Sequence, residues 1–383
     1  MLKILTIVGA RPQFIKAAAI SRVIMRDYRG VVSEHLVHTG QHYDREMSEV
    51  FFSELEIPEP AFNLGIGSGL HGVQTGAMLK ALEALYVKEK PAAALVYGDT
   101  NSTLAGALAA SKLGIPVIHV EAGLRSFNKQ MPEEINRVFT DHVSTLLFSP
   151  TEAGISNLEK EGVVKGNQAP YTIDNPGVFH TGDIMYDINM LFREKAADRS
   201  TILEDSGLHN IPYILATLHR PHNTDSPERL KKILESFLEV AAHHNIRVVL
   251  PLHPRTQKKL EEHPDRRFVE RLTVSNGIQI IPAMPYLDMV RLESGSKLIA
   301  TDSGGVQKEA WFMQKPLVVL RSETEWTEII DHGNGVLADA DPGKIIAATG
   351  KFLSEPPSDY PGIYGNGHAA EKILEIVTQS AWK

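Results

Sequence analysis

A chain of 383 residues is too long for one comfortable core, so two domains are expected. Its 43% hydrophobic and 22% charged residues are those of a globular protein, and a net charge of −8 argues against a general affinity for nucleic acid or anionic membrane. The absence of cysteine excludes disulfides, thiol nucleophiles and cysteine–zinc sites, and fits a cytoplasmic enzyme.

The chain opens on the apolar run Leu2-Lys-Ile-Leu-Thr-Ile-Val8, which Arg11-Pro12 ends at once. It reads as a buried strand rather than an export signal or a membrane span. Further strands are predicted at 34–38, 93–98, 116–120 and 145–148, with amphipathic helices such as 71–89 and 132–143 between them. Residues 163–190 form a seam. Within it, 165–177 are rich in turn formers, and the strand Val178-Phe-His-Thr181 closes the first half. The second half repeats the alternation, with strands predicted at 213–217, 246–252, 277–281, 297–300 and 316–319. A loop at 355–362 precedes a last helix near 368–381. Alternation of this kind calls for parallel sheets flanked by helices, with ligands at the carboxyl ends of the strands.

Residues at those strand ends carry the chemistry. Thr301-Asp-Ser-Gly-Gly-Val-Gln-Lys-Glu-Ala310 reads as strand, sharp turn and helix start. The N–H groups of Ser303, Gly304 and Gly305 at a positive helix end suit a phosphate. Glu309, about one turn further in, suits ribose hydroxyls. An ordinary capped turn is the alternative. Gly9-Ala-Arg-Pro-Gln-Phe-Ile-Lys16 ends the first strand and lacks the three-glycine dinucleotide fingerprint; Gly65-Ile-Gly-Ser-Gly69 reads as a plain loop. Asp99, Glu121 and Glu133 come from neighbouring loops and converge beside Arg11 and Lys16. Taken singly, Asp99 would be a helix cap, His119 a satisfied core histidine, and Glu133 and Glu134 compensation of a helix dipole. In the second half, His219 and Arg255 are cationic or donor groups expected to face a diphosphate. His38 and His42 flank Gly40 at a strand end, which is poor metal-site spacing, and no metal is expected.

The set Gly9-Ala-Arg-Pro-Gln13, Thr39-Gly-Gln-His42, Gly98-Asp-Thr100, His119-Val-Glu-Ala-Gly-Leu-Arg125, Pro132-Glu-Glu-x-Asn-Arg137, His219-Arg220 and 301–310 resembles the non-hydrolysing UDP-N-acetylglucosamine 2-epimerases, in order and over nearly the whole chain. The resemblance implies two Rossmann-like doubly wound domains in a GT-B arrangement, with the active site in the interdomain cleft. The first domain would span 1–187 and the second 188–367, with the helix at 368–383 packing back on the first. It also implies a homodimer, and a cofactor-free reaction that eliminates UDP to a glycal and adds it back. Asp99, Glu121 and Glu133 are then the acid/base groups for the two faces of C2. Lys16 is a cation beside them. Arg11, His219, Arg255, Ser303, Gly304, Gly305 and Glu309 hold UDP, the leaving diphosphate being stabilised by Arg11, His219 and the helix end.

Departures at Gln13 and Trp326 look like the branch acting on UDP-2,3-diacetamido-2,3-dideoxy-glucuronate, made for surface polysaccharides. Replacing Glu by Gln13 would ease binding of a uronate carboxylate, with Arg125 or Arg321 as its cation. A GT-B glycosyltransferase, a hydrolysing epimerase and a non-catalytic UDP-sugar sensor are the competing readings.

Overall fold

The computed structural model describes residues 1–40 and 58–382, with Arg11 described in its backbone alone. His42 lies outside the described residues. Two units divide the chain: Met1–Ile188 with Gly362–Lys383, and Asn189–Pro361.

The first unit holds β1 (Leu2–Val8), β2 (Val32–His38), β3 (Phe62–Asn63), β4 (Ala93–Tyr97), β5 (Val117–Val120), β6 (Leu146–Ser149) and β7 (Gly177–His180). They form one parallel sheet in the order β3-β2-β1-β4-β5-β6-β7. The second unit holds β8 (Tyr213–Thr217), β9 (Arg247–Leu252), β10 (Ile278–Pro282), β11 (Leu298–Thr301), β12 (Leu317–Val319) and β13 (Gly335–Leu337), again all parallel, in the order β10-β9-β8-β11-β12-β13. These are two Rossmann-like units of the kind the GT-B class pairs. Every residue of β4 and β8 is buried, as expected of a central parallel strand covered by helices on both faces.

The strand order reverses between β1 and β4 in one sheet and between β8 and β11 in the other. In open parallel sheets, reversals of this kind are where a crevice forms beyond the strand ends and where ligands commonly bind. The loops after those four strands are 9–10, 98–100, 218–220 and 302–303, within the segments singled out by sequence. Two strands escaped prediction, β3 with 2 residues and β13 with 3. Runs this short carry no readable period. Three helices that follow strand ends carry proline in the first turn, Arg11–Asp27, Pro132–His142 and Pro221–Thr224, where its missing N–H is one that has no intrahelical acceptor. Among the described residues no helix is long and apolar enough to cross a membrane.

Candidate active site

The loops of the first unit interlock through small residues. A side chain at Gly9 would bring its Cβ to 2.1 Å from Ser102 Oγ and 2.3 Å from Thr39 Oγ1, so only glycine fits. Those two hydroxyls are themselves 2.8 Å apart, which joins the ends of β1 and β2 to the helix Asn101–Lys112 that follows β4. Gln13 completes the joint. Its Oε1 accepts from the N–H groups of Gly9 (2.8 Å) and Ala10 (3.1 Å), and its Nε2 donates to the Tyr97 carbonyl (3.0 Å) and Thr103 Oγ1 (2.9 Å). Gln13 is 1% exposed, and all four hydrogen-bonding positions of its amide are used inside the protein. This corrects the expectation that Gln13 tunes charge beside a sugar. The residue is an internal clip between two loops.

On this platform sit the expected acids. Lys16 Nζ and Glu121 Oε2 are 2.7 Å apart, both largely buried. They lie over Gly98, whose φ is +61°; a Cβ there would meet Lys16 Nζ at 3.3 Å and Glu121 Oε1 at 3.4 Å. Glu121 itself has φ +75°, in the left-handed region that non-glycine residues avoid. Its N–H and that of Ala122 both donate to the Phe148 carbonyl at 3.0 Å, which holds the strained turn.

Asp99 is ion-paired with Arg137 Nη2, and its carbonyl accepts from Asn136 Nδ2 at 2.9 Å. Burial pushes the Asp99 carboxyl up; Glu121 adds to this, while Arg137 and Lys16 oppose it. Asp99 is not the helix cap, because Thr100 fills that role by accepting from the Thr103 N–H. Glu133 is partly exposed in the first turn of Pro132–His142. Its neighbour Glu134 is 2% exposed and accepts from the N–H groups of Ser126 (2.9 Å) and Phe127 (3.0 Å). The paired acids therefore divide, with Glu134 holding a loop and Glu133 left toward solvent.

His119 is fully buried, between Asp141 Oδ1 at 2.7 Å and the Gly98 carbonyl at 2.8 Å. It is a strut beneath the loop of Asp99, as its core reading expected. Asp141 also accepts from Gly123 N–H (3.1 Å) and Arg125 Nη1 (2.7 Å). Although burial pushes Asp141 up, His119 and Arg125 together hold it below the usual carboxylate range. Arg125 spends its remaining donors on Glu161 (2.8 and 2.6 Å) and the Leu124 carbonyl. It is therefore no candidate for a substrate carboxylate.

In the second unit, the fully buried Asp302 knits the two crevice loops. It accepts from the N–H groups of His219 (3.1 Å) and Arg220 (2.9 Å) and from Asn223 Nδ2 (3.1 Å). His219 Nδ1 lies 3.5 Å from Asp302 Oδ1. Burial lowers the His219 imidazole below its ordinary value; Arg220 and His253 push the same way, against Asp302. The ring therefore titrates below the usual histidine range.

The helix Gly304–Phe312 begins as predicted, with one correction. The Ser303 N–H is not bare, since it donates to Thr301 Oγ1 at 2.9 Å. Gly304 and Gly305 are the first helical positions, whose N–H groups have no intrahelical acceptor. Around Gly304 gather Arg220 Nη2, Glu325 Oε2 and Arg321 Nη1, at 3.8, 3.9 and 4.0 Å from where its Cβ would stand. Arg321 is already paired in bidentate fashion with Glu325, at 3.0 and 3.1 Å. Arg220 keeps a buried Nε–H with no partner among the described residues. It is the donor that sequence reasoning left without a role, although it directly follows His219 at a strand end.

Trp326 is buried and donates from Nε1 to the Gly304 carbonyl at 3.0 Å, while Lys308 Nζ lies 4.2 Å from its ring centroid. It braces the helix start rather than presenting a face to a ligand. Arg255, expected to face a diphosphate, donates to Thr224 Oγ1 (3.1 Å) and Asp225 Oδ2 (2.6 Å). Glu309 is buried and hydrogen-bonded to Glu293.

The family model described as UDP-N-acetylglucosamine 2-epimerase matches residues 27–378. A Methanococcus maripaludis protein named UDP-N-acetylglucosamine 2-epimerase homolog is 48% identical, over 98% of this chain and 99% of its own. A Pseudomonas aeruginosa protein named UDP-2,3-diacetamido-2,3-dideoxy-D-glucuronate 2-epimerase is 46% identical, over 99% and 100%. Among solved structures, Methanocaldococcus jannaschii UDP-GlcNAc 2-epimerase in complex with UDP-GlcNAc and UDP is 40% identical with a TM-score of 0.85, over 98% of this chain and 99% of that one.

Proposed function

The chain belongs to the UDP-N-acetylglucosamine 2-epimerase family and is a UDP-sugar 2-epimerase, an isomerase; from that premise we propose that it inverts C2 of UDP-N-acetylglucosamine, or of its 2,3-diacetamido-glucuronate analogue, by eliminating UDP to a glycal and adding it back without a cofactor. The observation that carries this reading is the carboxylate set at the first reversal point. Glu121 is fixed by Lys16 on a strained backbone, and Asp99 is fixed by Arg137 on the adjacent loop.

In this reading Asp99, Glu121 and Glu133 move the C2 proton, one face at a time. A C–H bond is a weak acid, so the base must be held rigidly and partly out of water; the ion pairs and the loops clipped by Gln13 do this. The raised Asp99 carboxyl is suited to a group that must both take and give a proton. The second unit holds UDP. Gly304 and Gly305 N–H groups and Arg220 take the diphosphate, whose negative charge grows as the anomeric bond breaks, with Arg11 and His219 as further donors. Glu309 takes the ribose. We also propose a homodimer, supported by Ile135 and Phe139, which stand 43% and 57% exposed one turn apart on the same helix.

The substrate branch does not rest on Gln13 or Arg125, because both are consumed internally. Incubation with UDP-N-acetylglucosamine and with the diacetamido-glucuronate, followed by proton NMR and chromatography, tests the proposal. The expected result is a UDP-linked C2 epimer from at least one sugar with no free sugar released. Free sugar plus UDP indicates the hydrolysing reaction. Turnover only after an acceptor is added indicates a glycosyltransferase.

A further inference from the structure

Glu293 has no place in the reaction so far, yet it is 1% exposed inside the second unit. It lies in the last turn of the helix Tyr286–Gly295, whose end is marked by Ser296 donating from its N–H (3.2 Å) and Oγ (2.8 Å) to the Glu293 carbonyl. A helix C-terminus is the negative end of the dipole and disfavours a carboxylate. One oxygen, Oε2, is buried with no partner among the described residues. The carboxyl is hydrogen-bonded to that of Glu309, on the helix Gly304–Phe312.

Two carboxylates in contact cannot both be ionised in a buried setting, so the pair holds a proton. Two features put it on Glu293: the deeper burial and the unpartnered oxygen. Tyr213 of β8 interacts electrostatically with both Glu293 and Arg291, and its hydroxyl donates to the Leu292 carbonyl at 2.5 Å.

We propose that Glu293 is a positioning residue for nucleotide binding: its carboxylic acid donates a hydrogen bond to Glu309 and fixes the Glu309 carboxylate as an acceptor for the ribose hydroxyls. The proposal rests on the ribose reading of Glu309. Burial, and then Glu309 itself, push the Glu293 carboxyl well above the usual carboxylate range, in keeping with a retained proton. The sign of the pH effect follows. Below that raised value Glu293 is neutral and donates. As pH rises through it, Glu293 ionises, repels Glu309 and loses the donated bond, so UDP affinity falls.

Calorimetric titration of the full-length protein with UDP, from mildly acidic to alkaline pH, tests this in the wild type, Glu293→Gln, Glu293→Met and Glu309→Gln. Wild-type affinity is expected to fall as pH rises. Glu293→Gln, a permanent donor, should stay within about threefold of wild type at neutral pH and lose that pH dependence. Glu293→Met should weaken UDP about tenfold or more, the loss expected for a hydrogen bond to a charged group. It should raise KM with kcat nearly unchanged, as loss of uniform binding does. Difference infrared spectra at neutral pH should show a protonated carboxyl in the wild type that Glu293→Gln removes. Should Glu293→Met not fold, the pH series of wild type against Glu293→Gln decides. Identical pH dependence in those two, or no carboxylic-acid band lost in Glu293→Gln, overturns the proposal. If Glu309→Gln binds UDP like the wild type, the ribose reading fails instead.

Discussion

Asp99 and Glu121 differ in how they are held, and the difference has kinetic consequences. Asp99 is pushed up by burial and by Glu121, so it becomes a base only above the ordinary aspartate range. The acid limb of kcat/KM is therefore expected to lie above that range and to be altered in Asp99→Asn. Asp99→Asn, Glu121→Gln and Glu133→Gln are each expected to lower kcat about 10²- to 10⁴-fold while leaving UDP affinity nearly unchanged. Steady-state kinetics paired with UDP titration checks this; a variant that loses UDP binding in proportion to kcat would assign its residue to the nucleotide instead. Arg220→Met should do the reverse of the acid variants, weakening UDP by about tenfold or more through loss of charge-assisted bonds.

At the scale of elements, the loops after β1, β2 and β4 act as one piece. Gln13→Glu would set a carboxylate oxygen against the Tyr97 carbonyl, where the amide now donates. It is expected to destabilise the fold by about 1–3 kcal/mol and to slow both UDP-sugars alike, rather than switch preference between them. Denaturant unfolding and a two-substrate kinetic comparison read the two halves of that statement. Strand positions and the reversal points were legible in sequence, because buried parallel strands are apolar runs and their ends carry Gly, Asp, Ser and His. The helices at 71–89 and 132–143 were equally plain from their period and their starts. Which polar side chains were already spent was not legible. Gln13, Glu134, Arg125 and Trp326 look like free functional groups in a line of text. Their partners lie across the fold, at Tyr97, Ser126, Asp141 and Gly304. Conversely Glu293 carries no local signal, since what distinguishes it is a carboxyl nearby in the fold, whereas Arg220 was signalled only by its place after His219 at a strand end.

At the scale of the molecule, the C-terminal helix returns to the first unit and is capped there. Asp187 Oδ2 accepts from the Ala370 N–H at 2.8 Å, and burial raises the Asp187 carboxyl to about 7 in spite of that bond. A raised carboxyl contributes stability that is complete below the unfolded aspartate range and is lost as pH rises toward about 7. The loss is of order 2–4 kcal/mol. Thermal unfolding at several pH values should show the wild type declining over that window and Asp187→Asn declining less.

All the roles assigned here depend on a proton leaving and returning at C2. Turnover of the accepted UDP-sugar in D₂O, followed by proton NMR, tests that directly. Deuterium is predicted at C2 of both epimers and at no other carbon. A C2 that keeps its hydrogen while the epimer accumulates would contradict the account.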